Sequence, residues 1–250
     1  DGIQELDTPL PRWWLWTFYA TILFAIGYVI AYPALPMISR ATEGVLGWSS
    51  RGALDKELAA REAQIAPVRQ AIADTSIAVL PTRPQLMQAA VEGGRAAFRV
   101  HCVQCHGSGA AGSKGYPNLN DDDWLWGGDM AAIEKTLTDG VRNPDHVATR
   151  QSLMPAFGKD QLLTAAQVDD VVAHVGVISG QDRASAASQR GAKVFADNCA
   201  VCHGPAGKGS REVGAPNLTD AIWLYGGDAE SIHDGVWNSR RGVMPRWDDK

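Results

Sequence analysis

The sequence predicts a mainly α protein: one N-terminal transmembrane helix, a linker, and two tandem copies of a small helical domain. Three observations carry that expectation. Residues Trp13 to Tyr32 contain no charged side chain, all four cysteines fall in two copies of one five-residue pattern, and four sequence blocks recur in the same order from Gly94 onward.

The uncharged segment reads WWLWTFYATILFAIGYVIAY. As a helix it spans about 30 Å, the thickness of a bilayer's hydrocarbon core. Trp13, Trp14 and Trp16 at one end and Tyr28 and Tyr32 near the other resemble interfacial aromatic belts, and Pro33 and Pro36 stop the helix. A buried core helix is the alternative. A cleaved signal peptide fits less well, because Asp1, Glu5 and Asp7 precede the segment where basic residues belong. Residues 1–38 are therefore the N-terminal segment and membrane helix, with the span at 13–32. Arg12 on one side and Arg40 and Arg51 on the other leave the orientation open.

Residues 39–84 form a linker without cysteine, expected to be partly helical. Residues 55–73, DKELAAREAQIAPVRQAIA, have helix-forming composition interrupted by Pro67. Pro81 and Pro84 punctuate the entry to the first domain.

The repeat begins with GRAAFRVHCVQCHG from Gly94, matched by GAKVFADNCAVCHG from Gly191. Pro117-Asn118-Leu119 answers to Pro216-Asn217-Leu218. The block from Trp124 to Asp129 answers to that from Trp223 to Asp228, and Met154-Pro155 answers to Met244-Pro245. Two copies of one domain are expected at 85–180 and 182–250. In each, a helix leads into the cysteines (about 88–101 and 186–198). A second helix starts after Gly-Gly-Asp, with Asp129 or Asp228 at its positive end. A closing helix, about Thr164 to Ile178 and capped by Thr164, completes the first copy. The second copy stops at Lys250 without a counterpart, so residues are expected to be missing at the C-terminus, and also before Asp1.

Cys102-Val103-Gln104-Cys105-His106 and Cys199-Ala200-Val201-Cys202-His203 carry the chemistry. In Cys-x-x-Cys-His, two thiols at the close of a helix can each form a thioether with a haem vinyl group. The adjacent histidine can then reach the iron. Zinc is the rival for Cys-x-x-Cys pairs, but two pairs nearly a hundred residues apart, each followed at once by histidine, suit a four-coordinate site poorly. Two covalently bound haem c groups are the expected cofactors. The sixth ligand should be a soft thioether, and each copy offers one: Met154 for the haem of His106 and Met244 for the haem of His203. His146 is the rival in the first copy. Pro117 and Pro216 are candidate carbonyl acceptors for the second ring N–H of each histidine. Trp124, Trp126, Trp223 and Tyr225 either line the haem or simply pack.

The chain has 250 residues and a formal charge of −5, which argues against nucleic acid and permits basic protein partners. One membrane helix, a linker and two mono-haem domains resemble the dihaem subunit of cbb3-type cytochrome c oxidases, the family called CcoP or FixP. The tryptophan-rich anchor and the DWLWGGD and IWLYGGD blocks carry the resemblance over nearly the whole chain.

The resemblance implies two tandem cytochrome c domains. It gives thioether roles to Cys102, Cys105, Cys199 and Cys202, proximal roles to His106 and His203, and distal roles to Met154 and Met244. It further implies electron relay within a terminal oxidase, with no catalytic residue on this chain, from a cytochrome c donor supplied by the bc1 complex. The partners are other oxidase subunits, among them a mono-haem cytochrome c subunit, and the membrane. Because c-type haem is attached outside the cytoplasm, the haem domains should be periplasmic and the amino terminus cytoplasmic, at a bacterial inner membrane. One helix cannot assemble an intramembrane haem-copper centre, so oxygen reduction lies in another chain. A free-standing anchored c4-like shuttle is the alternative, and a haem sensor or peroxidase a further one.

Overall fold

The computed structural model describes residue 2 and residues 8–248. Asp1, Glu5, Asp7 and Lys250 lie outside the described residues. Among the described residues the architecture is helical, without strands beyond isolated bridges. The chain divides into one unit ending at Asp74 and another beginning at Thr75.

In the first unit, α1 (Arg12–Ala31) buries no residue and is long and apolar enough to cross a membrane. Its two threonine hydroxyls are satisfied internally, Thr17 Oγ1 donating to the Trp13 carbonyl (2.9 Å) and Thr21 Oγ1 to that of Phe18 (2.7 Å). That is what a medium without water requires. At its C-terminus the chain folds back, and Val45 N and Leu46 N donate to the carbonyls of Ile30 (2.9 Å) and Ala31 (3.1 Å). Carbonyls that a helix end leaves orphaned are thereby paired.

Helix α2 (Ser50–Ala73) is capped by Ser49, whose side chain accepts from Gly52 N at 3.0 Å. It runs straight through Pro67, where an interruption is expected. The strong helix formers on either side outweigh the one backbone hydrogen bond that the proline forfeits.

In the second unit, α3 (Pro84–His101) and the short α4 (Val103–His106) carry the first Cys-x-x-Cys-His. α5 (Met130–Asp139) follows, then α6 (Ala165–Ile178), α7 (Ala186–Asn198), α8 (Ala200–His203) and α9 (Ala229–Asn238). Asp129 and Asp228 cap α5 and α9 by accepting from Ala132 N and Ser231 N, both at 2.9 Å. Thr164 and Gln167 form a capping box on α6.

The closing helix of the first copy does not close the first copy. α6 packs along α7 and also against α9, both from the second copy. Only the seven residues 179–185 separate α6 from α7. So short a link makes successive helices antiparallel neighbours. Val168, Val171, Val172 and Val175, spaced i, i+3, i+4, i+7, form the buried stripe of α6. They meet Phe195, Cys199, Ile232 and Val236 of the second copy in one core. Arg190 on α7 grips Asp170 on α6 with two hydrogen bonds (2.8 and 2.6 Å).

Gly191 sets the crossing: a Cβ there would lie 1.9 Å from the Asp170 carbonyl oxygen. Its sequence counterpart Gly94, on α3, has no atom within 4 Å of such a Cβ. Gly191→Ala is therefore expected to push α6 from α7 and cost about 1–3 kcal/mol. Gly94→Ala should be neutral, or stabilising by up to about 1 kcal/mol. Denaturant unfolding of the two variants checks the contrast.

Candidate functional site

Each Cys-x-x-Cys-His is presented the same way. Cys102 and Cys199 end their helices with αR backbone, and the next four residues form a single helical turn. His106 N and His203 N donate back to the carbonyls of Cys102 (2.9 Å) and Cys199 (3.0 Å). Gly107 and Gly204 then break the turn at φ 78 and 76, where a side chain would be strained. The loop returns so that His106 Nδ1 stands 3.0 Å from the Pro117 carbonyl and His203 Nδ1 3.0 Å from that of Pro216. A carbonyl only accepts, so Nδ1 donates in both rings and Nε2 keeps its lone pair for a metal. Burial lowers the pKa of His203, which favours the neutral imidazole.

The second motif opens on a cavity of about 570 Å³. Cys199, Cys202, His203 and Pro216 line it on one side. Phe195 on α7, Ile232 and Val236 on α9, and Trp223 and Tyr225 ahead of α9 enlarge the wall. The first copy contributes Met154, Pro155 and Phe157, Val171 and Val175 of α6, and also Tyr116, Pro117 and Leu125. Met154 is half-buried and packs on the core.

The two methionines stand at different places relative to the second motif. Met154, and not Met244, shares the cavity of His203. The reason is the α6–α7 hairpin, which carries the Met154 loop with it to the second motif. Met244 is held elsewhere, exchanging backbone hydrogen bonds with Val141 just after α5 (2.9 Å in both directions).

Of the other expected residues, Cys102 and Cys105 lie beside His106 at the end of α3, Cys105 exposed and Cys102 half-buried. The Trp124 and Trp223 rings cover Gly128 and Gly227, where a Cβ would come within 2.7 and 2.5 Å of them. Trp126 carries the Arg150 guanidinium 5.2 Å above its ring. His146 has both ring nitrogens engaged, with Asp139 (3.2 Å) and Arg246 (3.2 Å).

Three arginines escaped the sequence reading. Arg142, Arg240 and Arg241 line the cavity and bring positive charge to it, beside Lys114 and the carboxylates of Asp121 and Asp123. Arg142 donates to the Gly242 carbonyl (2.6 Å) and to that of Ser152 (3.1 Å), and burial lowers its pKa. The available signal was an arginine at the same place after each Gly-Gly-Asp helix, Arg142 in one copy and Arg241 in the other.

Two thiols, a neutral imidazole, a thioether and cationic groups around an apolar cavity suit a haem with acidic propionates. A redox dithiol fits worse, since burial and the nearby Cys202 push the Cys199 thiol up to about 11. Among the described residues, no three His, Cys, Asp or Glu side chains converge as zinc would require.

Comparison with known proteins agrees with these features. The family model for the N-terminal domain of cytochrome oxidase-cbb3, FixP, matches residues 1–39. That for cbb3-type cytochrome c oxidase subunit III matches 89–175, and that for cytochrome c matches 188–245. The CcoP subunit of the cbb3-type oxidase of Cereibacter sphaeroides is 55% identical over 99% of this chain and 85% of its own length. FixP of Sinorhizobium medicae is 50% identical over 99% of this chain and 85% of its own, and CcoP of Rhodobacter capsulatus 48% over 99% and 84%.

Two outcomes follow from the His146 cluster. His146→Ala should leave the haem absorption bands unchanged and should not admit carbon monoxide to either iron; carbon monoxide binding would make His146 a ligand. Hydrogen bonds from Lys135 and then His146 hold the Asp139 carboxyl below its usual range. A depressed pKa contributes stability above the unfolded-state value and loses it as pH falls through the folded value. Asp139→Asn should therefore lower the melting temperature near neutral pH, with the difference from the parent shrinking below about pH 4.

Proposed function

The chain belongs to the CcoP/FixP family of cbb3-type cytochrome c oxidase subunits and carries two covalently bound haem c groups for electron transfer within that oxidase; we propose that it draws electrons from a cytochrome c supplied by a bc1 complex and passes them to another haem-bearing subunit, among them a mono-haem cytochrome c.

The observation that carries this reading is the cavity that gathers Cys199, Cys202, His203 and Met154 behind apolar walls. Cys102 and Cys105 anchor one haem and Cys199 and Cys202 the other, with His106 and His203 as proximal ligands and Met154 and Met244 as distal ligands. Haem iron supplies reversible one-electron chemistry. The protein residues determine its use. The Pro117 and Pro216 carbonyls orient the imidazoles, and a thioether opposite each histidine fills the last position. Filled coordination favours electron transfer over oxygen binding. Arg142, Arg240 and Arg241 offer charge to the propionates of the second haem, and the apolar walls limit solvent reorganisation there.

The chain has one candidate membrane-spanning helix, α1. We assign the amino terminus to the cytoplasm and the haem-bearing repeats, 85–180 and 182–250, to the periplasm, because covalent haem attachment in this class of protein occurs there.

Three measurements test the reading. Cys102→Ala and Cys199→Ala should each abolish haem staining of one site and spare the other. Purified in mild detergent, the chain should bring further haem-bearing oxidase subunits with it; isolation alone would favour a free shuttle. The reduced native protein should bind little carbon monoxide, whereas extensive binding at both haems would point to a sensor or peroxidase.

A further inference from the structure

Resting on α1 as a membrane span, we propose that residues 35–48 form an apolar collar that lies in the headgroup zone of the bilayer, with phospholipid as its partner.

The collar begins with a small hairpin. Thr42 N donates to the Leu35 carbonyl (3.0 Å) and Met37 N to that of Arg40 (2.6 Å), while Pro36 pairs with Ala41 as an isolated bridge. Thr42 Oγ1 accepts from Ala34 N (3.3 Å) and Leu35 N (3.1 Å). The hairpin thus pairs much of its own backbone, which a segment that leaves water must do. Its tip nevertheless carries Met37 and Ile38, both exposed, and Leu35, Val45, Leu46 and Trp48 on either side are exposed as well. Scattered single apolar residues are ordinary on a protein surface. Six large ones within fourteen residues mark a surface that meets lipid or protein.

The place of this segment favours lipid. Val45 N and Leu46 N donate to carbonyls in the last turn of α1, and Gly44 permits the approach, since a Cβ there would lie 2.4 Å from the Ala31 carbonyl oxygen. Trp48 sets its ring edge-on against Tyr32 at 5.7 Å, and Tyr32 stacks on Tyr28 at 4.8 Å. The collar is therefore bound at the level where α1 ends, which is where tyrosine and tryptophan collect in a bilayer. α1 buries no residue of its own, so the collar continues an apolar surface that already faces lipid. Arg40, whose exposed pairing with Glu43 (3.3 Å) is weak, adds a cation for lipid phosphate beside the tip. Ser49, the cap of α2, follows Trp48 directly, so the collar also fixes where the linker helix starts.

The test measures depth. Ile38→Cys supplies a thiol for a nitroxide label, because thioethers occupy the four native cysteines. The labelled full chain, with both haems reduced so that low-spin iron does not relax the label, is placed in vesicles of phosphatidylcholine and phosphatidylglycerol. Power saturation then compares collisions with oxygen, which concentrates in the bilayer, and with a nickel chelate, which stays in water. Phe24→Cys on α1 gives the hydrocarbon reference, and free label in buffer gives the aqueous one.

Apolar parts of interfacial segments reach about 5–10 Å into the headgroup boundary. The oxygen-to-nickel collision ratio at Ile38 should accordingly stand several-fold above the buffer value and below that at Phe24. A ratio at Ile38 equal to the buffer value, with Phe24 protected, would overturn the collar and leave the span standing. Nickel access at Phe24 would overturn the span and the collar with it. In the copurified oxidase assembly the ratio at Ile38 should persist; shielding from both oxygen and nickel there would put a partner subunit on the collar and refute the proposal. Met37→Cys, the neighbouring tip position, repeats the measurement should the Ile38 variant fail to assemble.

Discussion

The contact on which the second unit depends is the crossing of α6 and α7 at Gly191. Helices separated by seven residues pair with each other whatever repeat each came from, and the missing Cβ at Gly191 lets the α6 backbone approach within ordinary side-chain distance. Asp170 and Arg190 fasten the same interface, and the valine stripe of α6 fills it. Once α6 lies on α7, the Met154 loop ahead of it has one destination, the cavity in front of His203.

Several consequences follow from that crossing. The core that shelters the second haem is built from both copies, so each copy is a unit of sequence more than a unit of folding. Arg142 shows the same interdependence on a smaller scale, since its guanidinium clips the Gly242 backbone of the second copy and the Ser152 backbone of the first.

The two motifs differ in setting although their local geometry is the same. Cys199 and His203 are buried by α6 and α9, whereas α3, which leads into Cys102, buries none of its own residues. Shelter of the second motif comes from the helix laid across it, and the first motif has no equivalent helix among the described residues.

What could be read in the sequence is what depends on adjacent residues. The Cys-x-x-Cys-His pattern is legible because two thioethers and one imidazole must lie within a single helical turn. The helices α6, α7 and α9 are legible because their caps and stripes are local, and α1 because uncharged length alone makes a span. Pro67 misled because the helix formers around it won. The surroundings of each methionine, the arginines of the cavity and the contacts of His146 needed tertiary structure. A spacing of 48 residues from His106 to Met154 records how much chain lies between them. It does not record which way a short hairpin turns that chain, and here the hairpin carries Met154 to the cavity in front of His203.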